Sequence, residues 1–479
     1  MKKKTLKSIT LLLVIAFIIT PVDASEVHGT WEPVNYEIDI RVDFGAEKIY
    51  ADCKLTVKKN TGGQTDEIPF MLYRLLHVTS ITDTLNNELP FVQRVTTVDG
   101  SPKLQVNAVQ VHLPGTIVPG ETYTIQIGYE GYIYGYPEGV GPYVREKIRE
   151  PFTILREDTK AYPRVGYPSR DSMFSVIFHS FDYHVSVSVP DHMVVANGGE
   201  LISKERNDGK ATYTYRSIKP SWRMDFAIAA YEIAEEDGIK VFYFPENRDG
   251  ALRVLNIANR TLKLYTDWFG PLKDFKGFSI IQIPQGYGSQ ADVTSIIQTA
   301  DVFESSDHDD QLYHEISHLW HPQETEPFPP CRWMEGLAMF MQYYTVQEFE
   351  ARENFIHRAS DSMRHSFNKR CNQIPNCPVT PLIDYGKERM FQLSYTKGMI
   401  MFHVLYELTG RDAFFNLIGN YYEKYYETGG STHDLTAMIM ELPHKGVSRF
   451  VDEWFYGTES NEYLGAGKSV EEIVSMYRE

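Results

Sequence analysis

Cysteine is scarce in this chain, with four in 479 residues, at Cys53, Cys331, Cys371 and Cys377. That excludes a small disulfide-framed scaffold, so stability has to come from a buried core. Cys371 and Cys377 are close enough in sequence to pair outside the cell, and Cys53 is expected to stay free or buried. Cys331 leaves the pairing open. Positive charge is also short: 47 Lys and Arg stand against 64 Asp and Glu, a net charge of −17. An acidic surface argues against nucleic acid or an anionic membrane as partner. Internal repeats and low-complexity tracts are missing, which excludes solenoids and disordered arrays.

Long apolar runs are equally rare. Ile9 to Ile19 forms one, preceded by Lys2, Lys3, Lys4 and Lys7 and followed by Val22-Asp23-Ala24, a small-residue cleavage pattern. The run is too short for a confident membrane span, so residues 1–24 read as a secretory signal peptide, either removed or retained as an anchor. An extracytoplasmic location follows as an expectation. No cysteine follows Ala24, so lipid attachment there is not expected.

The rest of the chain divides by periodicity. Tyr36-Glu37-Ile38-Asp39-Ile40-Arg41-Val42 alternates with period two, as do Thr122 to Tyr129 and Tyr183 to Val189. Pro119-Gly120 and Asn197-Gly198-Gly199 are the turn signals between such runs. Residues 25–237 are therefore expected to form an antiparallel β-sandwich or saddle domain. After Gly238 helical patterns prevail: Leu252 to Phe269, Ser306 through the metal motif, Glu335 to Phe367, Ser394 to Leu408, Asp412 to Tyr425 and Ser469 to Arg478, with a strand at Phe278 to Ile283. The expected fold class is α+β, with a second, mainly helical domain over 238–479.

Chemistry concentrates at His314-Glu315-Ile316-Ser317-His318, followed by fourteen residues and Trp333-Met334-Glu335-Gly336-Leu337-Ala338. Histidines four apart share one helix face and can bind one ion. Glu335 supplies a third, oxygen ligand. Two imidazoles and a carboxylate leave a fourth tetrahedral position for water, as catalytic zinc sites do. Glu315 is placed to take that water's proton. A lone carboxylate at 335 amid Trp333 to Met341 would be costly to bury unless it bound something. Ser305 and Ser306 read as N-caps, Asp307, Asp309 and Asp310 as helix-start carboxylates, and Pro322 as the stop. A metzincin would need a third histidine at position 324, which is Glu324, so that class is excluded. His321 reads as a surface residue or a support to the ligands.

With these motifs, Trp268-Phe269-Gly270-Pro271-Leu272, Tyr395-Thr396-Lys397-Gly398 and Phe450-Val451-Asp452-Glu453-Trp454-Phe455 follow one another in order. In this set the chain resembles the membrane alanyl aminopeptidase family of gluzincin zinc metallopeptidases. The resemblance implies a thermolysin-like catalytic domain, one Zn2+ per chain, a peptide substrate, and a Tyr395 hydroxyl that donates to the oxyanion of the tetrahedral intermediate. A phenol suits that task, being a neutral donor at pH 7. Lys397 is read as structural.

The chain also departs from the family. The spacer between His318 and Glu335 is somewhat shorter than usual. Gly286-Tyr287-Gly288-Ser289-Gln290 stands where the family has Gly-Ala-Met-Glu-Asn, whose glutamate grips the substrate's α-amine. No carboxylate occupies that position here, although the backbone can still bind an extended peptide by strand addition and Gln290 can hydrogen-bond to it. Asp292, Glu304 and Glu157 are the substitutes considered. The sequence ends soon after the catalytic motifs, so a more open cleft is expected. Aminopeptidase-type hydrolysis is the leading reading. The alternatives are an endo- or oligopeptidase that ignores the free N-terminus, and a non-catalytic binding protein that keeps the fold.

Overall fold

The computed structural model describes residues 31–60, 65–136, 138, 144–174, 179–326 and 333–478. Residues 1–24, read as a signal peptide, and Cys331 lie outside the described residues. Among the described residues no helix is long and apolar enough to cross a membrane.

The alternating runs become a seven-stranded sheet. Its strand order is Glu200–Asn207, Lys210–Arg216, Asp182–Pro190, Trp31–Asp43, Lys48–Lys59, Thr122–Gly131 and Leu76–Thr82. Tyr36, Ile38, Ile40 and Val42 point into the core, and Glu37, Asp39 and Arg41 point to solvent. The expectation of a purely antiparallel domain needs one correction. Trp31–Asp43 runs parallel to Asp182–Pro190, with Tyr36 opposite Tyr183 and Ile40 opposite Val187. The two strands are far apart in sequence, so a long crossover joins them, and a parallel pair requires one. A four-stranded sheet and a three-stranded sheet complete the β-rich part.

A five-stranded mixed sheet opens the second part, in the order Glu232–Glu236, Ile239–Tyr243, Phe278–Ile283, Ser295–Thr299, Gln290–Ala291. It begins at Glu232, a few residues ahead of the boundary read from periodicity. Its three central strands are parallel and their residues are buried almost throughout, so they carry no period-two signal. Gln290–Ala291 is an edge strand. Phe152, Ile154, Ala227, Tyr231, Ile281 and Ile297 form a small apolar cluster between this sheet and the three-stranded one.

The helices follow the expected pattern with shifted ends. Arg248–Phe269, Trp333–Glu350, Phe391–Thr409 and Arg411–Tyr425 surround a core rich in aromatic side chains. The helix expected over Glu335 to Phe367 is two helices, Trp333–Glu350 and Phe355–Cys371, broken where Asn354 adopts a left-handed φ of 56°. Cys371 and Cys377 are bridged, with Cα atoms 5.3 Å apart, and Cys53 is buried and unbridged.

Candidate metal centre and active site

His314 lies on the short helix Asp310–Ser317, and His318 follows at its C-cap, where the backbone is still helical and a 3-10 turn runs on to Trp320. This conformation keeps the two imidazoles on one face, with ring centroids 5.0 Å apart. Pro322 follows the turn, as expected of a helix stop.

The helix start is built differently from the reading of it. Ser305 caps the preceding turn by accepting from the Asp307 amide at 3.1 Å. Asp309 makes no capping bond; it pairs with Arg253 at 3.2 Å. Asp310 accepts from Gln342 Nε2 at 2.6 Å. Two of the three aspartates therefore tie this helix to its neighbours, Arg248–Phe269 and Trp333–Glu350. Tyr265 adds to that tie: its hydroxyl donates to the Tyr313 carbonyl at 3.0 Å and meets Thr345 Oγ1 at 2.8 Å.

Glu335 sits in the first turn of Trp333–Glu350. One of its oxygens, Oε2, lies 3.3 Å from His314 Nε2 and 3.6 Å from His318 Nε2. Bonds of about 2.0–2.1 Å in a tetrahedron put ligand atoms about 3.4 Å apart, so this trio fits a zinc ion. The His314, Glu335 and His318 side chains are 12, 14 and 21 % exposed, so the centre is recessed yet reachable from solvent. His318 turns its other nitrogen, Nδ1, toward His321 Nδ1 at 2.9 Å. Burial, reinforced by His318, holds His321 well below its usual pKa. A neutral His321 accepts the His318 Nδ1–H and leaves Nε2 of His318 as the ligand atom, the support that metal-bound histidines regularly have.

Burial disfavours charge on His314, but the neighbouring carboxylates Glu335, Glu315 and Asp310 outweigh it and raise its pKa. Burial also raises Glu315, opposed by His314, by His318 and by a backbone hydrogen bond from Ala291. That bond links the expected base to the edge strand Gln290–Ala291. Tyr395 stands on Phe391–Thr409 with its ring parallel to that of His314, centroids 6.5 Å apart.

The helices carrying Glu335 and Tyr395 touch backbone to backbone. A Cβ added to Gly336 would lie 2.5 Å from the Gly398 Cα, and one added to Gly398 would lie 2.8 Å from the Gly336 Cα. The glycine in each signature is what lets the two side chains reach one site. Lys397 is fully buried and donates to Asn461 Oδ1 at 2.8 Å, a packing role.

The segment Gly286 to Gln290 is mostly engaged by the protein itself. Gly286 has a φ of 87°, and a Cβ there would meet the Arg145 guanidinium at 2.6 Å. The Tyr287 hydroxyl donates to the Arg145 carbonyl at 3.2 Å. Ser289 Oγ accepts from the Thr299 amide and from Gln298 Nε2. Gly288 adds only backbone. Gln290 Oε1 is buried and has no hydrogen-bond partner among the described residues. The three acids considered as substitutes all have protein partners. Glu157 pairs with Lys160 at 3.1 Å and with Arg164, Asp292 accepts from Ser221 at 2.6 Å, and Glu304 accepts from Gln285 at 2.8 Å. Burial pushes Asp292 up to about 6.

Residues 297–454, which hold the ligands, Glu315 and Tyr395, match the Peptidase family M1 domain. This family is the one its motifs resemble. Aminopeptidase 2 of Candida albicans is 20 % identical over 320 residues, which cover 62 % of this chain and 33 % of that protein. Aminopeptidase M1-D of Oryza sativa subsp. japonica is 19 % identical over 296 residues, covering 57 % of this chain and 34 % of the relative. The chain thus spans about a third of the length of these relatives. The crystal structure of an M1 zinc metallopeptidase from Deinococcus radiodurans superposes with a TM-score of 0.65 at 18 % identity, covering 89 % of this chain and 94 % of that one. That likeness establishes the fold: a β-sheet domain followed by a mainly helical domain.

Proposed function

We propose that this protein is a zinc-dependent peptidase of aminopeptidase type, with one catalytic ion per chain, acting outside the cytoplasm. The observation that carries the reading is a single carboxylate oxygen of Glu335 facing the Nε2 atoms of both His314 and His318. Bound there, zinc supplies Lewis-acid polarisation of water and of the scissile carbonyl. Glu315 takes the proton of the attacking water and passes it to the leaving amine. The Tyr395 hydroxyl donates to the carbonyl oxygen as that oxygen gains charge. The edge strand Gln290–Ala291 aligns an extended peptide by backbone pairing. A peptide substrate also accords with a mutant of the Deinococcus enzyme, which was crystallised with the tripeptide Tyr-Ser-Ala. The extracytoplasmic location rests on the Lys-rich, then apolar, start of the chain.

A second reading is favoured by one observation. Gly286 to Gln290 holds no carboxylate, and a neutral amide grips an ammonium less firmly than a charged group does. An endo- or oligopeptidase that does not read the free amine would look like this. The purified protein should be offered aminoacyl reporter amides and their N-acetylated counterparts, each with and without chelator. Chelator-sensitive hydrolysis of the free-amine set alone supports the aminopeptidase reading. Equal cleavage of both sets replaces it with the second, and no hydrolysis of any peptide overturns both.

A further inference from the structure

Away from the catalytic centre, the helices Phe355–Cys371, Phe391–Thr409 and Val470–Arg478 bring two histidines and two glutamates together. His357, His403 and Glu407 each offer one ligand atom, and the three atoms lie within 4.8 Å of one another. The imidazole centroids are 4.6 Å apart. His403 is completely buried, yet its Nε2 has no hydrogen-bond partner among the described residues and sits 3.8 Å from Glu407 Oε1. His357 Nδ1 is likewise buried without a hydrogen bond, although Glu471 Oε1 is only 2.9 Å away, off the line such a bond needs.

Orphaned nitrogens in a folded interior call for a partner, because each one left unsatisfied costs the desolvation of a polar group. Ser360 Oγ lies 2.7 Å from His403 Nδ1 and 3.5 Å from Met399 Sδ, which fixes the imidazole ring from behind. The His403 Nε2 faces the Glu407 carboxylate across a gap too long for a direct hydrogen bond, and a cation between them would satisfy both. Burial lowers the pKa of His403. The 3.8 Å gap between His403 Nε2 and Glu407 Oε1 is close to the 3.3 and 3.6 Å gaps of the catalytic trio. A surface cleft lined by Glu407, Glu471 and Arg478 exposes the two carboxylates of the cluster to solvent.

We propose that His357, His403, Glu407 and Glu471 form a second site for a divalent transition-metal ion of the zinc class, structural in role. Two imidazoles and two carboxylates supply nitrogen and oxygen donors that zinc accepts, enough to fill its four positions. The ion would pin the C-terminal helix Val470–Arg478 to the helix that carries Tyr395. The site shares no ligand with the catalytic centre, so each stands or falls without the other.

The test measures metal content of the full-length protein, expressed with zinc and passed through metal-free buffer. Wild-type protein should hold about two ions per chain, against about one if the catalytic centre is the only site. H314Q/H318Q, which disables the catalytic trio, should retain about one ion and gain thermal stability on zinc addition. Adding E407Q to that variant should remove the remaining ion and the gain. A folded H314Q/H318Q protein without metal overturns the proposal, and so does a remaining ion that E407Q or H357Q leaves in place. If H314Q/H318Q does not fold, H357Q in the wild-type background decides: it should lose one ion and keep chelator-sensitive hydrolysis, and an unchanged metal content overturns the proposal.

Discussion

At the scale of single residues, support is spread unevenly around the centre. His321 touches no substrate in this account; it accepts the His318 Nδ1–H and fixes the ring. H321A should weaken zinc binding by about 10–100-fold, read by competition with a chelator, while hydrolysis recovers at saturating zinc. Unchanged affinity would remove His321 from the site's support. Glu324 illustrates the opposite case, a buried acid that costs stability. It is 6 % exposed, both its oxygens lack partners among the described residues, and burial, with Glu326 beside it, pushes it up to about 8. The folded state holds this proton more tightly than the unfolded chain, whose ordinary value is 4.5. The stability associated with the protonated acid is therefore fully present below about pH 4.5 and is lost as pH rises through about 8, where the buried charge costs most. E324Q should raise Tm at pH 8 and leave it nearly unchanged at pH 4, measured by scanning calorimetry at both pH values.

At the scale of elements, the site depends on how closely two helices approach. Gly336 and Gly398 are in backbone contact, and Glu335 and Tyr395 lie one and three residues before them. G398A inserts a methyl where a backbone atom already stands, so the helices must part. Overpacking of this kind costs about 1–3 kcal/mol. A displacement near 1 Å at the site is enough to lower kcat by about 10²-fold. Denaturation and steady-state rates on the same preparation check both numbers, and a variant with wild-type kcat would show that the spacing is not critical. Much of this arrangement was legible in advance. The His314–His318 pair, the approach of Glu335 and the strand Phe278–Ile283 follow from spacing and periodicity. The break at Asn354 was not, because apolar side chains continue on both sides of it and asparagine, though it tolerates a left-handed conformation, also sits within helices. The roles of Asp309 and Asp310 were also hidden. A carboxylate at a helix start looks the same whether it caps its own helix or holds Arg253 and Gln342 on other elements.

At the scale of the whole molecule, the β-rich part and the M1 domain meet through a small apolar cluster beside the five-stranded sheet. The edge strand Gln290–Ala291 of that sheet contacts Glu315, so the second part's sheet and its metal helix together frame the cleft. Alternation identified the outer strands of the β-rich part. It missed the parallel pair Trp31–Asp43 with Asp182–Pro190, since parallel and antiparallel neighbours leave the same period-two pattern in sequence. It also missed most of the five-stranded sheet, whose central strands are buried on both faces.

The central claim is that a metal centre of His314, His318 and Glu335 works with Glu315 as the proton acceptor. Measuring zinc content and hydrolysis of an aminoacyl reporter amide on E315Q beside wild type tests it most directly. The account predicts an unchanged zinc content with kcat lower by about 10²–10⁴-fold, the usual contribution of a general base. Zinc-loaded E315Q turning over at a rate close to wild type would contradict it.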